Sequence, residues 1–183
     1  MKGNKIIFLN GVSSSGKTTI AKALQETADE QFYHLSNDMF FLVEQQMLHN
    51  KYLVEAGEKA QSKYMAEAII MMYLFAKTVV EQGKNVIIDG MLEERNGFIE
   101  YYNKTNYDIM LDIFVDYNMM MVEVYCPLDE CRRRNLIRGD RGENQSDEQN
   151  EIMNKAIKYN CFVDTSIDSA NECARKILNK LYD

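Results

Sequence analysis

Short apolar runs alternate along the chain with longer stretches in which apolar residues recur every three or four positions. The runs predict β-strands at residues 6–9, 33–36, 85–89, 119–126 and 161–163, of which the second is the weakest. Runs without polar alternation are typical of strands buried on both faces, as in parallel sheets. Because helical stretches separate the strands, we predict an α/β fold, a five-stranded parallel sheet flanked by helices.

The stretches between the strands predict helices, and several of these have recognisable ends. Gly83 follows one helix where a C-terminal cap is expected, and Ser169 with Glu172 has the spacing of a capping box. The long helix before Gly83 is apolar on most of its circumference, so we expect it to be buried. The predicted helices span residues 17 to about 27, 38 to about 53, 61–82, 93–117 in two pieces divided near Gly97 or 103–106, 128–138, and a last helix after Ser169.

The length and charge of the chain limit the possible functions. With 183 residues it is long enough for one α/β domain, spanning 1–183, and too short for two. Its formal net charge of −7 argues against a nucleic-acid-binding surface, so a basic site has to be local. The four cysteines form no CxxC pair and no histidine is spaced to complete a zinc site, which predicts reduced, buried thiols and a cytoplasmic protein. No apolar run is long enough for a signal peptide or a membrane span, and the sequence makes no prediction of oligomeric state.

The segment GVSSSGKTT, between the first strand and the first helix, carries a phosphate-binding pattern. Gly11, Gly16, Lys17 and Thr18 match GxxxxGK[ST] at every fixed position. Glycines let backbone N–H groups converge on phosphate oxygens, Lys17 would neutralise the β and γ phosphates, and Thr18 would offer its hydroxyl to Mg²⁺. A polar turn with a chance lysine is the alternative. The predicted nucleotide-binding residues of this loop are Gly11, Ser13, Ser14, Ser15, Gly16, Lys17, Thr18 and Thr19.

Two carboxylates follow predicted strands at the edge of the sheet where ligands of α/β folds bind. Asp38 comes just after the second strand, where it could take the proton of an acceptor hydroxyl. The alternative is that Ser36, Asn37 or Asp38 caps the following helix. Asp89 ends the third strand, beside the loop, and is a candidate for magnesium or substrate. A turn carboxylate before Gly90 is the alternative there.

Five of the seven arginines fall within ten residues of this acidic chain, at positions 132, 133, 134, 138 and 141. Such a concentration of positive charge is suited to binding an anion. We therefore predict an arginine-rich lid at about residues 128–150 that closes over a nucleotide. Arg138 and Arg141 are the favoured members of this lid. A solvated helix face paired with acidic neighbours is the alternative, above all for 132–134.

Other polar and apolar clusters favour ordinary structural roles. Aspartates at 108, 112 and 116 are typical of a solvated helix face, and His34 and His49 have no partner pattern. The methionines and tyrosines around 64–73 are expected in the core. Four apolar residues close to Asp38 are also placed to line an acceptor pocket: Met39, Phe40, Phe41 and Met47.

Several stretches together resemble chloramphenicol phosphotransferase and its relatives among the P-loop kinases. They are IIFLNGVSSSGKT at the loop, the aspartate of LSNDMF, RGDR at 138–141, and VDTS followed by ECA near the C-terminus. The resemblance implies a shikimate-kinase-like fold, a three-layer P-loop NTPase sandwich with ATP and Mg²⁺ as cosubstrates. It also implies that Asp38 is a general base, that Arg138 and Arg141 are lid arginines, and that Asp164 and Thr165 lie near the adenine.

The motifs and the resemblance lead to one main hypothesis and two alternatives. The main hypothesis is an ATP-dependent O-phosphotransferase that moves the γ-phosphate to a hydroxyl of a small molecule. Its catalytic residues would be Lys17, Asp38, Arg138 and Arg141, with Thr18 and Asp89 on the metal. A nucleoside or nucleotide kinase shares these features. A nucleotide-binding regulatory module without catalysis is the alternative from another class.

Overall fold

The sheet is built around a central strand that is buried along its whole length. The computed structural model describes residues 4–41, 57–94 and 96–183. All five strands are parallel, in the order β2-β3-β1-β4-β5, which confirms the predicted sheet. Every residue of β1 is buried, because the strand has neighbours on both sides and helices on both faces. The strands are β1 Ile6–Asn10, β2 Phe32–Ser36, β3 Asn85–Gly90, β4 Met119–Tyr125 and β5 Cys161–Asp164.

The helices follow the predicted pattern with one addition. The two pieces predicted within 93–117 are α3 and α4, and a separate short helix, α6, follows α5. Residues 37–41 begin a helix after β2, whereas its predicted continuation to 53, with Met47 and His49, lies outside the described residues. The helices are α1 Lys17–Thr27, α2 Gly57–Glu81, α3 Asn96–Tyr102, α4 Asn106–Ile113, α5 Leu128–Arg138, α6 Gln145–Ile152 and α7 Ala170–Tyr182.

Side chains of β1 alternate between two hydrophobic cores, one on each face of the sheet. Ile6 and Phe8 pack with α2, whereas Ile7 and Leu9 pack with α1 and α7. Burying a large apolar side chain stabilises a fold by roughly 1.5–3 kcal/mol, so the two cores hold the layers together. The result is the predicted three-layer sandwich.

The prediction that the long helix is buried holds for one of its faces only. α2 buries Met72 and Tyr73 against the sheet, but Met71, Leu74 and Phe75 on its other side are 44%, 50% and 50% exposed. Its apolar circumference is therefore wider than the face that the sheet can cover. Both faces are apolar, so the sequence alone does not show which of them packs against the sheet.

Helix ends account for several polar residues. Ser169 and Glu172 form the predicted capping box of α7, and Gly83 ends α2 with a φ of 78°. Asp108 is exposed, as expected for a solvated helix face, and with Thr105 it also forms the capping box of α4. The sequence analysis did not predict this cap, because the regular spacing of the aspartates was interpreted as an exposed helix face alone.

The four cysteines are free thiols, as predicted. Cys126, Cys131 and Cys173 are buried and Cys161 is half-buried. Burial raises the pKa of the Cys131 thiol to about 12 and that of Cys173 to about 11, so both stay protonated at neutral pH. Within the described ranges, no helix combines the length and apolar character needed to span a membrane.

Gly97 is required where α3 crosses α2. A Cβ added there would lie 2.5 Å from the carbonyl oxygen of Ser62 and 2.9 Å from its carbonyl carbon. Because both atoms are backbone, we expect Gly97→Ala to lower the free energy of unfolding by about 1–3 kcal/mol, against a helix-propensity gain of at most about 1 kcal/mol. Urea unfolding would measure the difference.

The matched control is Gly142→Ala, where a Cβ would meet nothing within 4 Å. We expect that variant to stay within about 0.5 kcal/mol of the parent protein. Equal stability of the two variants would contradict the close approach of α3 to α2.

Candidate active site

The phosphate loop runs from the end of β1 to the first turn of α1, and close contacts require its glycines. A side chain at Gly11 would place its Cβ 2.4 Å from the carbonyl oxygen of Val124. Gly16 has a φ of 101°, in the left-handed region that glycine favours, and lies against Thr165. The backbone can therefore turn tightly here, as a loop that wraps phosphate oxygens must.

Lys17 and Thr18 open α1 with their side chains turned toward the loop and the neighbouring strand. Lys17 Nζ donates to the carbonyl oxygens of Gly11 and Val12, both at 2.8 Å. Thr18 Oγ1 donates to Asp89 Oδ2 at 2.6 Å. Burial lowers the pKa of Lys17, and the charges of Asp89 and Asp38 oppose this effect without cancelling it. The ammonium and the hydroxyl thus lie together at the end of the loop nearest β3.

Asp89 lies beside the loop because β3 is the neighbour of β1, in register with Leu9. Its carboxylate is buried, which raises its pKa. The neighbouring His34 ring, the charge of Lys17 and the hydrogen bond from Thr18 outweigh burial, so the pKa of Asp89 is below its ordinary value. His34 Nε2 is 3.4 Å from Asp89 Oδ2, close enough for an electrostatic interaction but outside hydrogen-bond geometry. The sequence showed no partner pattern for His34, and the structure places its ring against Asp89.

Asp38 follows β2 at the mouth of the same cavity and is not the cap of its helix. Ser36 Oγ accepts the backbone N–H of Met39 at 3.3 Å, so the serine takes the capping role. Asp38 Oδ2 instead accepts a hydrogen bond from Arg141 Nη2 at 2.5 Å. The structure therefore brings one predicted catalytic carboxylate and one predicted lid arginine into contact across 103 positions of sequence.

The clustered arginines divide into two groups. Arg132 pairs with Asp129 and Asp147, and Arg133 with Glu130, as expected for a solvated helix face. In contrast, Arg134, Arg138 and Arg141 all line the cavity. The side chain of Arg138 is half-exposed and pairs with the neighbouring Asp140. Arg138 and Arg141 were the favoured lid arginines, whereas the sequence did not distinguish Arg134 from Arg132 and Arg133.

Arg134 joins the phosphate loop to the loop after β5. Its guanidinium donates to Thr165 Oγ1 and to the Thr165 carbonyl, both at 2.9 Å, and to the Ser14 carbonyl at 3.3 Å. Thr165 Oγ1 in turn donates to the carbonyl of Ser15 at 2.7 Å. Thr165 lines the cavity where the nucleotide was predicted.

Asp164, predicted to lie near the adenine, uses its carboxylate within a local turn. Its Oδ1 accepts the backbone N–H of Ser166 at 2.9 Å and the Ser166 hydroxyl at 2.6 Å. The carboxylate therefore closes its own turn, a local geometry that aspartate favours, and Asp164 is not among the residues that line the cavity.

Helices α5 and α6 hold the outer side of the phosphate loop through buried amide and hydroxyl groups. Asn135 accepts from Ser14 Oγ at 2.7 Å and donates to Ser146 Oγ at 2.9 Å. Ser146 donates to the carbonyl of Ser13 at 2.9 Å. Both Asn135 and Ser146 are fully buried. The predicted lid segment is therefore anchored to the loop, and no sequence motif marks the residues that anchor it.

The cavity has a volume of about 670 Å³, within the range of small-molecule sites. On the β5 side it is lined by Ile20, Thr165, Asp168, Ser169 and Ala170, and on the β2–β3 side by Asn37, Asp38, Phe41, Met65, Ile69, Asp89, Met91 and Glu93. The loop contributes Ser13, Ser14, Gly16, Lys17, Thr18 and Thr19, whereas its residues Gly11 and Ser15 are buried and do not line the cavity. Of the apolar residues near Asp38 that are described, Phe41 lines the cavity.

The buried carboxylate of Glu93 was not anticipated from the sequence. It is 4% exposed and lines the cavity four positions after Asp89. Its backbone forms a bridge with Met153, just after α6, which fixes the segment that leaves β3. A single glutamate after a strand belongs to no motif, so the sequence did not predict that this side chain would be buried in the cavity wall.

The architecture is that of a P-loop kinase. A phosphate loop lies between the central strand of a parallel sheet and the next helix, and a segment that carries arginines covers the cavity. Solved kinases share the fold. APS kinase from Mycobacterium tuberculosis, in complex with AMPPNP and APS, has a TM-score of 0.67 at 16% identity over 98% of both chains. Shikimate kinase from Acinetobacter baumannii, in complex with shikimate, has a TM-score of 0.60 at 15% identity over 96% of this chain and 92% of its own.

The chain belongs to the chloramphenicol phosphotransferase-like protein family, whose model matches residues 4–182. A relative found in two strains of Mycobacterium tuberculosis, which carries the provisional name O-phosphotransferase, is 26% identical over 97% of this chain and 82% of its own length. The resemblance inferred from the motifs is thus confirmed, and so is the predicted class, an ATP-dependent phosphotransferase of small molecules.

Proposed function

We propose that this protein transfers the γ-phosphate of ATP to a hydroxyl group of a small molecule bound on the β2–β3 side of the cavity. The observation that carries the proposal is that Lys17, Thr18, Asp38 and Arg141 all line one cavity. Phosphoryl transfer is catalysed mainly by positioning and by stabilising negative charge. A single space with phosphate-binding groups at its base and a carboxylate at its mouth meets both requirements.

The donor half of the site is the loop together with the β5 side. ATP would place its phosphates on the loop amides and on Lys17, whose ammonium already lies against the carbonyls of Gly11 and Val12. The base would lie against the pair formed by Thr165 and Arg134, which joins the loop to the β5 side. The APS kinase with this fold is in complex with AMPPNP, which supports nucleotide binding by a protein of this fold.

Thr18 and Asp89 fit a magnesium ion. The Thr18 hydroxyl and the Asp89 carboxylate are 2.6 Å apart, and both offer the hard oxygen ligands that Mg²⁺ prefers. No cluster of three or more acidic, histidine or cysteine side chains suited to a metal occurs in the part of the chain that is described. One carboxylate with phosphate oxygens and water is the usual magnesium arrangement in such sites. The bound ion would neutralise charge on the phosphates.

Asp38 and Arg141 would act on the transfer itself. Asp38 would accept a hydrogen bond from the acceptor hydroxyl and take its proton as the phosphoryl group arrives. Arg141 now donates to Asp38, and it would turn to the transferring phosphoryl group, where a planar guanidinium matches the developing charge. Because the transition state is loose, positioning by Asp38 would matter as much as proton removal.

The acceptor side favours a neutral hydroxylated compound with an apolar part. Asp38, Asp89 and Glu93 make this side acidic, and Arg141 is already paired with Asp38. Phe41, Met65, Ile69 and Met91 add apolar surface. An anionic acceptor would meet like charges, which disfavour binding.

A coupled ADP-release screen tests the proposal. The panel would contain neutral hydroxylated aromatic compounds, chloramphenicol among them, together with nucleosides, neutral sugars and the anions gluconate and shikimate. We expect ADP release to rise with at least one neutral hydroxylated compound other than the nucleosides and to stay at background with the anions. Lys17→Ala, run in parallel, should abolish the stimulation.

Two results of this screen would overturn the proposal. Stimulation by nucleosides alone would favour a nucleoside kinase. ADP release that no member of the panel stimulates would favour a nucleotide-binding module without an acceptor.

A further inference from the structure

One side chain of α6 reaches into the phosphate site and contacts the loop backbone. The side-chain oxygen of Gln149, Oε1, accepts the backbone N–H of Ser13 at 2.5 Å. Gln149 also lines the same cavity as Lys17 and Thr18. Backbone N–H groups of this loop are the groups that bind phosphate oxygens. An amide oxygen that accepts one of them stands where a phosphate oxygen would.

The position of Ser13 indicates which phosphate is concerned. Lys17 Nζ is bonded to the carbonyls of Gly11 and Val12, the two residues that precede Ser13. The lysine of this motif reaches the β and γ phosphates. The N–H of Ser13 therefore lies at the end of the loop that receives the terminal phosphates, away from the base.

The composition of α6 fits an approaching anion. Gln145 and Gln149 both line the cavity and are four residues apart, so they share one helix face. The carboxylates of this helix lie elsewhere: Asp147 pairs with Arg132, and Glu148 and Glu151 are exposed. An acidic helix thus presents uncharged amides to the phosphate site.

The helix cannot move freely away from the loop. Ser146, three residues before Gln149, is fully buried and donates to the carbonyl of Ser13. Gln149 therefore stays close to Ser13 when the site fills. A glutamine amide can present either its oxygen or its NH₂ group by rotating about its last side-chain bond.

We propose that Gln149 recognises the terminal phosphate of the nucleotide by direct contact. In the free protein its oxygen accepts the N–H of Ser13. When a triphosphate is bound, a γ-phosphate oxygen takes that N–H, and the amide turns so that Nε2 donates to the same phosphate. This inference rests on the proposed use of ATP, and it assigns a γ-phosphate contact to α6.

Two variants separate donation to phosphate from acceptance of the Ser13 N–H. Gln149→Glu can only accept a hydrogen bond, and Gln149→Lys can only donate. We expect Gln149→Glu to weaken AMPPNP binding about 30-fold or more and ADP binding about 3-fold or less, because a charge-assisted donor is replaced by an anion. Gln149→Lys should keep AMPPNP affinity within about 3-fold of the parent. Calorimetry on the full chain with Mg²⁺ would give the dissociation constants of AMPPNP and ADP for the parent protein and for both variants.

The matched control is Asn150→Asp, which makes the same change from amide to carboxylate one residue further along α6, at a position that does not line the cavity. AMPPNP affinity of this variant should change less than about 3-fold. Thermal unfolding of each variant would check that the fold is retained. The ratio of AMPPNP to ADP affinity remains informative even if a variant is less stable.

The opposite pattern overturns the proposal. If Gln149 only supports the loop, Gln149→Glu keeps the bond to Ser13 and binds both nucleotides normally, while Gln149→Lys loses it and weakens both nucleotides alike. An unchanged ratio of AMPPNP to ADP affinity in every variant also overturns it. If the parent protein binds neither nucleotide, the proposed function fails instead.

Discussion

Asp38→Asn is expected to lower acceptor-dependent ADP formation by about 10²–10⁴-fold while ATP still binds. Asparagine has the shape of aspartate but cannot take the proton of the acceptor hydroxyl. The side chain lies at the mouth of the cavity and is 60% exposed, so the substitution should not disturb the core. Steady-state kinetics with the acceptor found in the screen, together with nucleotide binding, would measure both effects.

The control for this experiment is Asp112→Asn. Asp112 is another exposed carboxylate, paired with Lys104 far from the cavity, and its loss should leave turnover within about 2-fold. Full turnover of Asp38→Asn would remove the assignment of Asp38 as a base. A loss confined to KM, with kcat unchanged, would instead assign Asp38 to acceptor binding alone.

The parts of the site that the sequence predicted are those in which one residue type is tied to one local conformation. Gly11 and Gly16 have to be glycine because of a backbone contact and a left-handed turn. Asp89 could be placed beside the loop on the usual strand order of such folds, in which the third strand pairs with the first. These constraints are local or topological, so a single sequence carries them.

The parts that the sequence did not predict depend on which helix face meets the loop. Arg134 bonds to Glu130 and so resembles its surface neighbour Arg133, which bonds to the same glutamate. The available signal was the helix face that Arg134 shares with Cys131 and Asn135, both fully buried. Arg134 belongs to the side of α5 that packs toward the loop, whereas Arg133 is turned to solvent.

Amides and single carboxylates were missed for a related reason. Gln149 and Glu93 acquire their positions from contacts between elements distant in sequence, with Ser13 and Met153 respectively. A glutamine or glutamate has no conformational requirement that would mark it locally. Three-dimensional placement was therefore needed to find them.

Arg141→Ala is expected to lower turnover by about 10²–10³-fold, the cost of removing one group that stabilises developing charge. Arg141 is the lid arginine that contacts the proposed base, and its side chain is 23% exposed, compared with 44% for Arg138. Affinity for ADP should change little, because the guanidinium is expected at the transferring phosphoryl group. Single-turnover kinetics with ADP binding would separate the two quantities.

Arg133→Ala provides the matched control, since Arg133 belongs to the same arginine cluster but pairs with Glu130 on the surface. An exposed ion pair of this kind contributes only about 0.2–1 kcal/mol, so turnover should stay within about 2-fold. Equal losses in Arg133→Ala and Arg141→Ala would contradict a specific role for Arg141.

The contact between Arg141 and Asp38 leads to a further prediction, for the variant that combines both substitutions. Because Nη2 and Oδ2 are 2.5 Å apart, the losses in Arg141→Ala and Asp38→Asn should not be additive when the two substitutions are combined. The double variant should retain more activity than the product of the two single effects, since each substitution disables the same transfer step. Additive losses would mean that the two residues act independently and that their contact has no part in the reaction.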